Sequence, residues 1–385
     1  MAQVAIFETE HFEGAYPVIR LFDNGENQIT IFSYQQSYRQ FQYLFKDDAR
    51  RFKWVVKDDN ESKYHFIYRM YKEVRRNNIQ LLYLNTISNN HIFYVLMIRL
   101  LPKVRSVVTL HDINGYFHFK FAFSLRRWVR YTGKRSLVRA VKEFNVVAAT
   151  MVPYLQGKLP SWKKVYNVPG AVFEGMPATC PSPVETGKIN IVVPGTIDGR
   201  RRNYETVFEL LQQCNEAGLP VSITLLGSHY GAYGEMILER CRAYAASHSN
   251  LSFYQNSPVV DQPEFDRVMN NAHVVFTPSV IDTIIFDGIT ETYGLSISSG
   301  NLFDVIKHAK PFIIPDALRM PDNMESSCFH YKTAADIFLF LKRILNEPSF
   351  YNELSQKALN NSREYTIPKV RERNAGLFLT EAKSR

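Results

Sequence analysis

Apolar residues along this chain come in short runs separated by polar turns. In the first half the runs are "VAIFET" from Val4, "ITIFSY" from Ile29, "IQLLYLN" from Ile79, "RSVVTLHD" from Arg105 and "NVVAATM" from Asn145. In the second half they are "INIVVPG" from Ile189, "VSITLLGS" from Val221, "LSFYQN" from Leu251, "AHVVFTPS" from Ala272 and "PFIIPD" from Pro311. Short runs rich in β-branched and aromatic residues, bounded by turn residues, predict strands buried on both faces. Longer stretches of helical period lie between them, among them "SKYHFIYRMYKEVRRNN", "NYETVFELLQQCNEAG" and "FDVIKHAK". Apolar strands alternating with helices predict parallel sheets covered on both sides, an α/β protein.

The chain of 385 residues is too long for one ordinary core and predicts two domains. Between the halves, Asn167–Lys188 carries four prolines and three glycines and reads as a hinge. The expected division is 1–168, a linker at 169–188, and 189–365. In doubly wound sheets ligands bind beyond the carboxyl ends of the strands, so the loops after each strand are the ones to inspect.

Composition narrows the choice of partner. Hydrophobic residues make up 45% and charged residues 22%, as in a globular protein. Cys180, Cys214, Cys241 and Cys328 form no CxxC or Cys/His cluster, which argues for free thiols in a reducing cytosol. "MAQVAIFETEHFEG" lacks the features of a secretory signal, and the longest apolar stretch, Ile92–Pro102, is too short for a membrane span and contains Arg99. The expectation is a cytoplasmic protein, soluble or peripheral. A formal charge of +9 points to an anionic partner: nucleic acid, lipid headgroups or phosphorylated substrates.

Four loops carry candidate chemistry. After the strand at Ile189, "VPGTIDGRRRNYE" puts Arg200, Arg201 and Arg202 before a helix, a combination suited to phosphate. "ETYGLSISSGNLFDVIKHAK", from Glu291, holds Gly294, Leu295, Ser298 and Ser299 at the start of a helix that includes Asn301. His111-Asp112 closes a strand, where an imidazole can serve as donor or acid–base group. Glu13-Gly14 follows the first strand, and a glycine there allows close backbone approach. Adjacent acids at Asp47-Asp48 and Asp58-Asp59 read as solvated turns, and no metal site is expected. No P-loop, GxGxxG or GxSxG motif is present.

In order and spacing these loops resemble the GT-B glycosyltransferases, most closely family 4. There the first strand is followed by a Gly-Gly turn, matched by Glu13-Gly14, and a later strand ends in His-Asp, matched by His111-Asp112. The second domain of that family opens with strand, Gly-Arg and a nearby Lys. Here Gly195 stands for the Gly, Thr196 replaces the Arg, and Arg201 or Arg202 stands near the Lys. "AHVVFTPS", "ETYGLSISSGN" and "HAKPFIIP" resemble further family segments, and the family's second glutamate falls on Ser299. The resemblance implies two Rossmann-like domains facing a cleft, with residues 366–385 crossing back to the first.

It also implies a function. A sugar moves from a nucleotide-sugar donor (UDP- or GDP-linked) to a glycan or lipid-linked acceptor, with retention and without metal or other cofactor. Glu291 and His111 are the implied catalytic groups. Arg200, Arg201, Arg202, Gly294, Leu295 and Ser298 would hold the diphosphate, Ser299 or Asn301 the ribose, and Glu13-Gly14 the approach loop. A GT-B-fold sugar-nucleotide epimerase or phosphorylase, and a non-catalytic binding protein, are the alternatives.

One segment stands apart. From Gly115 to Lys142 there are eight Lys and Arg residues and no acid, interleaved with aromatics. Phe117, Phe121, Leu125 and Trp128 follow helical spacing. Arg126, Arg127, Arg130, Lys134 and Arg135 then form a basic patch, read either as contact with an anionic membrane surface or as a solvated helix face. A nucleic-acid arm finds no supporting motif.

Overall fold

The computed structural model describes residues 2–378 apart from 120, 122, 176–180, 255–259 and 286–287. Seven strands form the first sheet: β1 (Gln3–Glu8), β2 (Gln28–Tyr34), β3 (Lys53–Lys57), β4 (Leu81–Leu84), β5 (Arg105–Thr109), β6 (Glu143–Asn145) and β7 (Lys164–Tyr166). The second domain adds β8 (Ile189–Pro194), β9 (Val221–Leu226), β10 (Leu251–Phe253) and β11 (Val274–Phe276), then β12 (Asp282–Ile284), β13 (Thr290–Thr292), β14 (Phe312–Pro315) and β15 (Cys328–Tyr331).

The first sheet runs β3-β2-β1-β4-β5-β6-β7 and the second β10-β9-β8-β11-β14-β15, every pairing parallel. Strands β12 and β13 form a separate antiparallel hairpin. In each sheet the order reverses beside the first strand, so the loops leaving β1 and β4, and those leaving β8 and β11, diverge and open a crevice. The two crevices face each other.

Burial explains why the strands were visible in the sequence. Val4 to Phe7, Leu81 to Leu84 and Ile191 to Val193 are buried without alternation, because helices cover both faces. Strands β3, β7 and β15 and the β12–β13 hairpin escaped the pattern. Strand β3 is an edge, with Lys at both ends and only Val55 buried. The run expected from Asn145 pairs instead over Glu143–Asn145, and Val146 to Ala148 continue as buried irregular chain.

The C-terminal segment lies on the first domain. Helix Ile367–Arg373 meets the end of helix Phe12–Phe22, whose last carbonyls lack helical partners. Arg371 supplies them, its Nε donating to Leu21 O at 2.7 Å and its Nη2 to Arg20 O and Asp23 O at 3.1 Å. Asn374 clasps the backbone of Asn167 in both directions at 2.9 Å, just before the Pro/Gly-rich linker. Cys214, Cys241 and Cys328 are free thiols, and Cys180 lies outside the described residues. Among the described residues no helix is long and apolar enough to cross a membrane.

Candidate active site at the interdomain cleft

The first-domain wall is a polar network at the carboxyl ends of β1, β4 and β5. Glu8 ends β1 with no exposed surface. A buried carboxylate needs several donors to be tolerated, and Glu8 has five. Its Oε1 accepts the backbone N–H groups of Thr9, Glu10 and His11 at 2.6–2.7 Å. Its Oε2 accepts Asn85 Nδ2 at 2.6 Å and the Thr86 hydroxyl at 2.8 Å. The Thr86 proton is thereby committed to Glu8, so the hydroxyl oxygen can only accept from His111 Nε2, 3.3 Å away. The same nitrogen lies 2.9 Å from Asn85 O, another acceptor. The proton therefore sits on Nε2, and Nδ1 keeps its lone pair. Burial, with the His11 ring 5.3 Å away, holds the imidazole pKa below its usual value. The result is a neutral, oriented base at the end of β5. Of this network the sequence singled out His111 as a candidate but not Glu8, Asn85 or Thr86. Their signal was faint: polar residues that end or directly follow fully apolar strands.

Glu13 and Gly14 lie in the first turn of helix Phe12–Phe22, which starts at the mouth of this wall. A side chain added at Gly14 would meet nothing within 4 Å, so the position is open.

The second-domain wall is built around the turn after β8. Gly195 has φ +98°, and a Cβ there would come 2.3 Å from Arg202 Nη2. Only glycine fits. Arg202 occupies the space, donating to Thr196 O at 2.6 Å, Pro194 O at 2.8 Å and Asn301 Oδ1 at 3.3 Å. It is a brace for the turn. Arg200 pairs with Asp198 through two hydrogen bonds at 3.1 and 2.8 Å, and Arg201, 3.8 Å from the same carboxylate, is half exposed. The three arginines thus divide into one internal brace and two at the surface.

Asn301 is spoken for in the same way. Its amide nitrogen donates to Pro194 O at 2.9 Å and Asp304 Oδ2 at 3.1 Å, and its oxygen accepts Thr277 Oγ1 at 2.9 Å as well as Arg202. All four hydrogen-bonding positions are filled, leaving none for a ribose. Ser299 is the N-cap of helix Gly300–His308, its hydroxyl accepting Asn301 N–H at 3.4 Å, and Ser298 precedes it. Burial pushes the Asp304 carboxyl up to about 7, against the opposing hydrogen bond from Asn301.

The walls meet at Glu291 on β13. This side chain is 1% exposed, and its carboxylate crosses to the first domain. Oε1 accepts Gly115 N–H at 2.8 Å and Oε2 accepts Asn114 N–H at 3.2 Å, at the start of the short helix Asn114–Phe117. Around it, Ile113 N–H donates to Ser296 O at 2.9 Å, Asn114 Nδ2 donates to Thr290 O at 3.0 Å, and Asp112 bridges Ile297 in antiparallel fashion. Burial raises the Glu291 carboxyl to about 7, with Asp112 adding to the rise and Ser296 and the two amides opposing it. Gly294 and Leu295 form the turn that returns the chain to Ser296: Gly294 at φ +77° packs on Arg319, and Leu295 N–H donates to Thr292 O at 3.1 Å.

The basic aromatic segment borders this junction. The helix begins only at Leu125 and runs to Ala140, so the helical spacing expected from Phe117 onward does not hold. Ahead of it Phe119 and Phe121 pack on Trp128, and Phe121 on Phe123. Arg126, Arg127 and Arg135 are exposed. Lys134, expected in the same patch, is instead 8% exposed: its ammonium is 3.2 Å from Asp112 Oδ2 and 4.5 Å above the Tyr116 ring. Among the described residues no group of three or more metal-ligating side chains converges.

No family model matches the chain, and no curated protein matches it in sequence. Solved structures do resemble it over its whole length. The Anabaena protein HepE, in complex with UDP and glucose, is 11% identical with a TM-score of 0.65, covering 98% of this chain and 99% of that one. The pneumococcal O-GlcNAc transferase GtfA, in complex with UDP and GlcNAc, is 8% identical with a TM-score of 0.65 over 98% of each chain. The UDP-GlcNAc 2-epimerase of Neisseria meningitidis, bound to UDP-GlcNAc, is 10% identical with a TM-score of 0.57 over 98% and 99%. At such identities the likeness is one of fold, and the fold is GT-B: two doubly wound parallel-sheet domains facing each other across a cleft.

Proposed function

We propose that the chain is a glycosyltransferase that takes its sugar from a nucleotide-sugar donor bound in the interdomain cleft. One observation carries the reading. Glu291 of the second domain is bonded to Gly115 of the first, a few residues after the neutral, oriented His111, and Arg201 lies half exposed in the loop after β8, an arrangement that supports this reading. Solved proteins of this fold hold UDP and sugars.

Breaking a sugar–phosphate bond leaves charge on the departing diphosphate, which needs fixed positive groups nearby. Arg200 and Arg201 offer guanidinium charge. The helix that starts at Gly300 offers amide N–H groups and its dipole, with Ser298 at its threshold. This set stabilises the leaving group with no metal. With Asn301 committed to the protein, the ribose falls to Ser299. By resemblance Glu291 holds the donor sugar, so binding must exchange or share its hydrogen bonds to Asn114 and Gly115. That exchange links donor binding to the closure of the two domains, which excludes water. By resemblance too, the sugar keeps its anomeric configuration. The acceptor, glycan or lipid-linked, is approached from the first domain at the cytoplasmic face of a membrane.

A sugar-nucleotide epimerase is the second reading, supported by the shared fold with the Neisseria enzyme. A panel of UDP- and GDP-sugars separates the two. A transferase releases free sugar slowly without acceptor, and Glu291→Ala abolishes the release. An epimerase converts the nucleotide sugar to its epimer with no acceptor. Stabilisation by a nucleotide sugar with no turnover of any kind would leave only a binding protein.

A further inference from the structure

The chain passes between the domains through the linker after Asn167 and again near Tyr365, and both passages meet helix Phe12–Phe22. The return passage does so through Arg371, which caps the end of that helix. The linker does so through Glu174. Just before it, the linker is held on the second-domain side. Gly170 lies against Phe303 of helix Gly300–His308, where a Cβ would come 2.6 Å from the ring. Phe173 N–H donates to Tyr365 O at 3.0 Å, and the Tyr365 hydroxyl donates to Asn323 Oδ1 at 2.9 Å. The next residue, Glu174, reaches back to the first domain. Its Oε2 accepts the Tyr16 hydroxyl at 2.6 Å, and its Oε1 accepts Arg20 Nε at 2.9 Å. Tyr16 and Arg20 stand one helical turn apart on the same face, so both converge on a single carboxylate. The first turn of that helix carries Glu13-Gly14 at the cleft.

Stability alone gives little reason for this tie. Glu174 is partly exposed, and pairs of that kind contribute little to folding. Without it Arg20 would keep Asp48 at 3.3 Å and Asp23 at 3.6 Å. What the tie does is connect two helices that border the cleft from opposite domains. Phe303, seated on the linker, belongs to the helix that starts at Gly300. Tyr16 and Arg20, gripped by Glu174, belong to the helix that carries Glu13-Gly14. We propose that Glu174 is a positioning residue: it fixes helix Phe12–Phe22 to the linker and so holds the Glu13-Gly14 turn in place against the helix that starts at Gly300. Without it the first-domain helix and the linker move separately, and the domains open more readily. This restraint needs no ligand. Its effect on turnover rests on the transferase reading, so the two can fail separately.

The test compares the parent with Glu174→Ala and Tyr16→Phe, singly and combined. The first readout is ligand-free hydrogen exchange at the Asn114 and Gly115 amides, which Glu291 holds across the domain boundary in a contact where Glu174 takes no part. In Glu174→Ala these amides should exchange about fivefold faster or more, while β1 and β8 stay protected. Tyr16→Phe removes one of the two hydrogen bonds and should give a smaller change. Adding it to Glu174→Ala should change nothing further, because the two residues act through one contact. The second readout is acceptor-free release of sugar from a panel of UDP- and GDP-sugars. Glu174→Ala should lower kcat about tenfold and leave donor KM within about twofold, as expected when a wall of the site is displaced but its binding groups are intact. The melting temperature should fall by no more than about 2 °C. Parental exchange at Asn114 and Gly115 in Glu174→Ala would overturn the proposal, whatever the kinetics. In a parent that turns over, an unchanged kcat would overturn it too, and a fall of many degrees in melting temperature would then mark a plain stabilising pair. Faster exchange in the variant with no turnover in the parent would sustain the tie and defeat only the transferase reading.

Discussion

Glu291 of the second domain accepts the backbone N–H of Gly115 in the first at 2.8 Å and that of Asn114 at 3.2 Å. One buried carboxylate therefore caps a helix that belongs to the other domain. Removing it in Glu291→Ala orphans two amides at a junction that can open to water. The expected cost is about 2–4 kcal/mol, appearing as separation of the domains ahead of unfolding. Hydrogen exchange should show it: the Asn114 and Gly115 amides lose protection while the β1 and β8 strands keep theirs. Unchanged protection at those two amides would refute the latch.

The same group sets a pH dependence. Its carboxyl is raised to about 7, chiefly by burial, from an ordinary value of 4.5. The folded protein therefore holds a proton that the unfolded chain releases, and stability falls as pH climbs through that window. The span corresponds to about 3 kcal/mol. Asp304, also raised to about 7, acts in the same direction, and His111, lowered by burial, acts in the opposite one. Glu291→Gln removes one contribution and leaves the other two in place. Melting temperatures of variant and parent from pH 5 to pH 8 should thus diverge in the variant's favour as pH rises. A constant difference would mean that the carboxylate is already ionised at pH 5.

These groups were legible in the sequence to different depths. His111 and Glu291 could be found because they sit beside strands and turns with strong local signatures. Most strands were equally plain, since helices on both faces leave near-continuous apolar runs. Strand β3 was hidden because an edge strand with Lys53 and Lys57 at its ends needs no such run. The parts played by Asn301 and Lys134 were not readable at all. Each is decided by a partner far away in the chain, Pro194 O for one and Asp112 for the other, and a lone Asn or Lys looks the same with or without it. Glu8 resembled the polar end of a strand until five donors were found around it.

One of those five donors, the Thr86 hydroxyl, ties the His111 tautomer to Glu8. In Glu8→Gln an amide nitrogen in place of Oε2 faces both groups that now donate to that atom, Asn85 Nδ2, whose hydrogen bond is lost, and the Thr86 hydroxyl. That hydroxyl then receives a hydrogen bond and turns its own proton toward His111 Nε2, 3.3 Å away. The imidazole proton should move to Nδ1, removing the lone pair that faces away from this network. Nitrogen-15 shifts of His111 report the exchange directly: Nε2 should change from the protonated to the unprotonated range. Under the proposed function, turnover should fall with little change in donor KM, because Glu8 positions the base without touching substrate. An unaltered Nε2 shift would show that the Asn85 carbonyl alone fixes the ring.

Arg201 and Arg202 are neighbours in sequence with opposite expected phenotypes. Arg202 spends its guanidinium on Thr196 O, Pro194 O and Asn301 Oδ1 inside the second domain. Arg202→Ala strands the Thr196 carbonyl, leaves Pro194 O with Asn301 Nδ2 as its remaining side-chain donor, and opens a gap behind Gly195, at an expected cost of about 2–4 kcal/mol. Arg201 is half exposed, and its nearest acid lies 3.8 Å away, a pairing of little value to stability. Arg201→Ala should leave the melting temperature within a degree or two, by the size of surface effects. It should weaken a nucleoside diphosphate about tenfold by removing one charge-assisted contact. Calorimetry with UDP and GDP, run beside thermal unfolding of both variants, distinguishes the roles. If Arg201→Ala binds the diphosphate as tightly as the parent, the phosphate is held by Arg200 and the helix that starts at Gly300, without Arg201.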